Sequence, residues 1–111
     1  MSEQQKKLEI ITKAIDNKLG YDIETIDIRN RSSFADYFVI AGASNTNQLY
    51  SIADNVIYEM EKEGFSLKNP QSKKSSEWLL LDFGDIIVHI FDVEARKYYD
   101  LERLWKDTQE N

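Results

Sequence analysis

The segment Trp78-Leu79-Leu80-Leu81-Asp82-Phe83-Gly84-Asp85-Ile86-Ile87-Val88-His89-Ile90-Phe91 constrains the fold more than any other part of the chain. Two apolar runs flank Gly84-Asp85, which is the pattern of a β-hairpin with a tight turn. Side chains alternate along a strand, so Ile87, His89 and Phe91 fall on one face and Ile86, Val88 and Ile90 on the other. A strand that is apolar on both faces is central in its sheet or covered on both sides.

The chain upstream supplies the rest of such a sheet and helices to cover it. Leu8, Ile11, Ile15 and Leu19 recur at steps of three and four, with Ala14 beside them, and predict a helix from about Gln4 to Leu19. Gly20 reads as its C′ stop. A strand is expected from about Asp22 to Ile28, with Ile26 and Ile28 on one face, then a loop at Asn30-Arg31-Ser32-Ser33 and a second strand from Asp36 to Ala41. The run Tyr37-Phe38-Val39-Ile40 again suggests burial on both faces. Leu49, Ile52, Ala53, Val56, Ile57 and Met60 form a second helical stripe. Asn45 with Gln48 resembles a capping box at its start, with Ser44 as the other candidate cap, and Gly64 ends it. Phe65-Ser66-Leu67 reads as a short strand, and 68–76 as loop. Short helical turns are expected at Val93 to Tyr99 and Leu101 to Trp105.

This order predicts an α/β (α+β) fold: one mixed sheet of about five strands packed by helices. With 111 residues and no internal repeat, a single domain over 1–111 is expected. The chain has no cysteine, which rules out a disulfide framework and thiolate-ligated metal. No apolar run reaches the ~20 residues of a membrane span and no signal-peptide pattern follows the polar start, so a cytoplasmic location is expected. The net charge of -6 argues against binding free nucleic acid, whose affinity comes from Lys and Arg on phosphates. It suits a basic protein partner, and equally suits plain solubility.

Motifs for chemistry are weak. Asp82-Phe83-Gly84 spells a kinase metal motif, but no Gly-rich phosphate loop or catalytic loop accompanies it. Gly42-Ala43-Ser44 lies between a strand and a helix, where backbone amides can hold an anion. A nucleotidyltransferase would also need two or three carboxylates converging on metal. Neither Asp22 with Glu24 nor Asp92 with Glu94 follows the Gly-Ser turn where that chemistry requires it. No cofactor or metal site is expected. The single histidine, His89, has three readings: a hydrogen-bonded structural residue, a partner contact, or a ligand with Asp92 and Glu94. Trp78, Tyr98, Tyr99 and Trp105 are amphipathic aromatics in one third of the chain, and Trp and Tyr are the types that most often anchor interfaces.

Two stretches carry a family resemblance. Asp36-Tyr37-Phe38-Val39-Ile40, Gly42-x-Ser44-x-x-x-Gln48 and Ile52-Ala53-Asp54 form the first. Trp78-x-Leu80-x-Asp82-Phe83-Gly84-Asp85-x-x-Val88-His89-x-Phe91 with Arg96-x-Tyr98-Tyr99-x-Leu101-Glu102-x-Leu104-Trp105 form the second. Together they resemble the ribosomal silencing factor family, also called Iojap-like, from about Leu8 to Asp107. One departure is Gln71-Ser72, where the family usually has Glu-Gly, so no role of that pair carries over.

The resemblance implies a fold similar to nucleotidyltransferases without their catalytic acids, and a translation factor that is not an enzyme. Such factors bind ribosomal protein L-fourteen on the large subunit, block joining of the small subunit and repress translation when nutrients are scarce. Members can also be homodimers off the ribosome. The alternative is a nucleotide-binding or nucleotidyltransferase-like enzyme using the Gly42 turn. On the resemblance, Trp78, Leu80, Asp82, His89, Phe91, Arg96, Tyr98 and Tyr99 make or support the partner surface. Asp82 would pair with a partner's Lys or Arg or else cap the turn.

Overall fold

The computed structural model describes residues 2–69 and 77–92. Their elements run α1 (Glu3–Asn17), β1 (Tyr21–Asp27), β2 (Tyr37–Ala43), α2 (Thr46–Lys62), β3 (Trp78–Asp82) and β4 (Ile86–Asp92). The strands form one mixed sheet in the order β1-β2-β4-β3. β1 and β2 are antiparallel, β2 and β4 parallel, and β3 and β4 antiparallel. β4 is therefore interior, as its two apolar faces require. The expected helical turns at Val93 to Tyr99 and Leu101 to Trp105 lie outside the described residues.

Among the described residues the sheet has four strands where the sequence suggested about five. Phe65, Ser66 and Leu67 form no strand. Phe65 and Leu67 pack against the core on the helix side, and the next two residues bond the outer edge of β3 instead. The Lys68 N–H donates to the Asp82 carbonyl (2.6 Å). The Asn69 amide donates to the Leu80 carbonyl (3.0 Å) and accepts from the Asp82 N–H (2.8 Å). A side-chain amide has the same donor and acceptor as a peptide unit, so Asn69 does the work of a strand residue without extended backbone.

Alternation divides the sheet's side chains between two cores. Val39, Ala41, Ala43, Leu79, Leu81, Ile86, Val88 and Ile90 meet Leu8, Ile11, Ile15 of α1 and Leu49, Ile52, Val56, Met60 of α2. Ile26, Ile28, Ala35, Phe38, Ile40, Ile87 and Phe91 form the second core, on the opposite face, with Trp78 and Leu80 packed against it.

Both helix ends are closed by paired backbone bonds. At α2, Phe65 N–H reaches the Met60 carbonyl and Gly64 N–H the Glu61 carbonyl, with Gly64 at φ +89. That is the Schellman arrangement, with glycine at C′ as the sequence suggested. At α1 the same bonds run from Gly20 to Ile15 and from Leu19 to Asp16, so C′ is Leu19, at φ +65, and Gly20 follows it. Gly20 is needed for space rather than for its dihedral: a Cβ there would lie 2.4 Å from Ile15 Cγ2.

The start of α1 is pinned to the sheet. Gln4 donates to the Asp36 (2.8 Å) and Asp85 (3.0 Å) carboxylates, and Lys7 pairs with Asp85 at 2.9 Å. The Asp85 carbonyl also accepts from the Asp36 and Tyr37 N–H groups. A residue that reads only as hairpin turn thus joins α1, β2 and β4.

Candidate functional site

Register places five of the expected site residues, Trp78, Leu80, Asp82, His89 and Phe91, on one face. Trp78 lies opposite Phe91, Leu80 opposite His89, and Asp82 opposite Ile87. Trp78, Leu80 and Asp82 alternate along the edge strand and are partly exposed, whereas Leu79 and Leu81 between them are buried in the helix-side core. His89 and Phe91 are 4% and 1% exposed. They lie beneath the rim formed by Trp78 and Leu80, which limits them to supporting it. Arg96, Tyr98 and Tyr99 lie outside the described residues, as does Gln71-Ser72.

Aromatic rings run across this face. Phe38 meets His89 edge-on at 4.5 Å between centroids, His89 lies 5.8 Å from Trp78, and Trp78 stacks on Phe91 at 5.1 Å. Phe34, in the loop between β1 and β2, adds a ring 6.3 Å from Phe38. Sequence reading does not single out Phe34. Its only signal is a large apolar residue next to a polar loop.

The Trp78 indole N–H donates to His89 Nδ1 at 3.1 Å. An imidazole nitrogen that accepts carries no proton, so the ring proton sits on Nε2. Nε2 is buried and has no partner among the described residues. Burial among aromatic rings pushes the His89 pKa down to about 4, because the charged ring would lose its hydration. His89 is neutral at pH 7. Of its three readings, the hydrogen-bonded structural one matches this geometry. Among the described residues no group of three His, Asp or Glu side chains is placed to hold a metal ion.

Asp82 caps the turn. Its Oδ1 accepts from the Gly84 N–H at 2.8 Å, and Gly84 sits at φ +95, where a side chain would be strained.

Gly42 does not belong to the turn that leads into α2. Gly42 lies within β2, and a Cβ on it would come within 2.7 Å of the Tyr21 ring. Glycine here makes room for that ring. The start of α2 is capped: Asn45 is the N-cap and accepts from Gln48 N–H (2.9 Å), while Gln48 Oε1 accepts from the Ser44 N–H just before it (2.6 Å). The Gln48 amide then donates to the Lys18 and Leu19 carbonyls at 3.1 and 2.9 Å, tying α2 to the end of α1.

Over the described residues, a four-stranded mixed sheet with two helices on one face and aromatic rings on the other defines a small α+β domain. A family model described as "Ribosomal silencing factor during starvation" matches residues 1–111. Ribosomal silencing factor RsfS of Haemophilus influenzae is 36% identical over 98 residues, covering 88% of this chain and 96% of that protein. RsfS of Bacillus subtilis is 35% identical over 104 residues, covering 94% and 88%. A crystal structure of a Chromobacterium violaceum protein superposes with a TM-score of 0.89 at 28% identity, covering 95% of this chain and 88% of that one. The chain belongs to the ribosomal silencing factor family.

Proposed function

We propose that this protein represses translation by binding the large ribosomal subunit through ribosomal protein L-fourteen and blocking the small subunit from joining, above all under nutrient limitation. The observation that carries this reading is the alternation of Trp78, Leu80 and Asp82 on the edge strand, which puts an amphipathic rim above a rigid aromatic layer. Anchors held in place before binding lose little entropy when they dock. A net charge of -6 speeds encounter with a basic ribosomal protein. Occupying the joining face needs no bond chemistry, so no catalytic group is assigned. The Tyr21 ring over Gly42 and the Asn45 cap on the start of α2 speak against the nucleotidyltransferase reading. The setting is cytoplasmic, and free protein forms homodimers. Among the described residues, no helix is long and apolar enough to cross a membrane.

Sedimentation with isolated large and small subunits and with joined ribosomes tests the proposal. Co-migration with the large subunit alone, with fewer joined ribosomes, is the expected result. Absence of co-migration at low and moderate salt overturns it. A rise in melting temperature with ATP and magnesium, worth about 2.7 kcal/mol at one hundred times the dissociation constant, would restore the nucleotide reading.

A further inference from the structure

Phe34 is 62% exposed, one of three large apolar side chains so placed among the described residues. The other two have local explanations. Leu19 (78% exposed) occupies the C′ position of α1, and Tyr58 (58% exposed) carries a polar hydroxyl and has Lys62 Nζ 5.1 Å from its ring centre. Phe34 has neither a polar tip nor a helix end to account for it.

The loop that carries it is tightly held. The Phe34 N–H donates to Ser32 Oγ (3.1 Å) and the Arg29 N–H to Asp27 Oδ1 (3.0 Å). The Arg31 N–H donates to the Ile28 carbonyl and the Ile28 N–H to the Asp36 carbonyl, each at 2.9 Å. An apolar side chain carried on a hydrogen-bonded loop is partly preorganised for docking, because the backbone has little freedom left to lose on contact.

The ring also continues the surface already described. From Phe34 the steps to Phe38, His89 and Trp78 are 6.3, 4.5 and 5.8 Å. Both exposed ends therefore fit within one standard interface, about 800 Å² per partner and so roughly 30 Å across.

We infer that Phe34 is a second anchor of the ribosome-facing surface, seated in an apolar socket of the same large-subunit protein that meets Trp78. This rests on the function proposed above and adds a residue to that surface.

The test is titration of isolated large subunits with full-length wild type, Phe34→Ala, Phe34→Tyr and Tyr58→Ala, each with a thermal melt. The expected result is a tenfold or greater rise in Kd for Phe34→Ala, a smaller rise for Phe34→Tyr, whose hydroxyl the apolar socket must desolvate, near-wild-type binding for Tyr58→Ala, and melting temperatures within about 4 °C of wild type. Wild-type binding that Phe34→Ala leaves unchanged overturns this inference alone. Weaker binding together with a larger fall in melting temperature overturns it too, by making Phe34 a folding residue. A Phe34→Ala defect confined to self-association of the free protein assigns the ring to a second copy of the chain instead. Failure of the wild type to bind removes the underlying function as well.

Discussion

The indole N–H of Trp78 donates to Nδ1 of His89 across 3.1 Å, joining the edge strand to the interior strand beside it. This bond fixes a histidine tautomer, orients the Trp78 indole, and makes the rim of the candidate face depend on the protonation of a residue beneath it.

Stability falls with acid in a defined window. Unfolded histidine titrates near 6.5, and burial lowers His89 to about 4. Between these values the unfolded chain takes up a proton that the native state refuses, so stability rises with pH through the window and this contribution is flat above it. The loss on going from pH 6.5 to pH 4 is about 3 kcal/mol. Chemical denaturation across that range checks it, with His89→Gln showing a shallower slope. Asp85 contributes separately. Burial raises its pKa, but the bonds from Gln4 and Lys7 outweigh that and hold it below 3.8, so its share is lost only as pH falls further.

Trp78→Phe keeps an aromatic ring on Phe91 and removes the donor. His89 Nδ1 is then buried without its partner, at a cost of about 1–3 kcal/mol. A lower denaturation midpoint with an unchanged slope is the expected reading. A midpoint equal to wild type would show that the bond is not maintained in solution.

Leu19→Gly is expected to stabilise the fold by about 1 kcal/mol, since Leu19 pays for a left-handed dihedral with an exposed side chain that packs on little. A thermal melt measures it, and a lower melting temperature would mean that the leucine contributes packing that its exposure does not suggest.

Gln48→Glu tests the link between the helices. A carboxylate in place of the amide has no donors for the Lys18 and Leu19 carbonyls and repels them. A loss of about 1–2 kcal/mol is expected, larger than for Gln48→Ala, which leaves those carbonyls to water. Equal effects of the two variants would reduce Gln48 to a helix cap.

Much of this architecture is legible in the residues. The apolar stripes of α1 and α2, the interior position of β4 and the Gly84-Asp85 turn follow from periodicity, because burying one stripe or two faces leaves few arrangements. The candidate face was legible in part. Alternation places Trp78, Leu80 and Asp82 together, but nothing local distinguishes an exposed ring from a buried one. Phe34 and Phe38 are both apolar residues near one loop, and only packing leaves the first in solvent and buries the second.

The sequence by itself determined both long helices, the four strands of the sheet with its two faces and, through its motifs, the family. Tertiary structure decided what depends on distant partners: Asn69 standing in for a fifth strand, Asp85 tying three elements, Gly42 yielding to Tyr21, and His89 held neutral under Trp78. Periodicity is a local property and survives in a linear string. Hydrogen bonds between residues far apart, and the desolvation that sets a pKa, exist only once the chain has closed on itself.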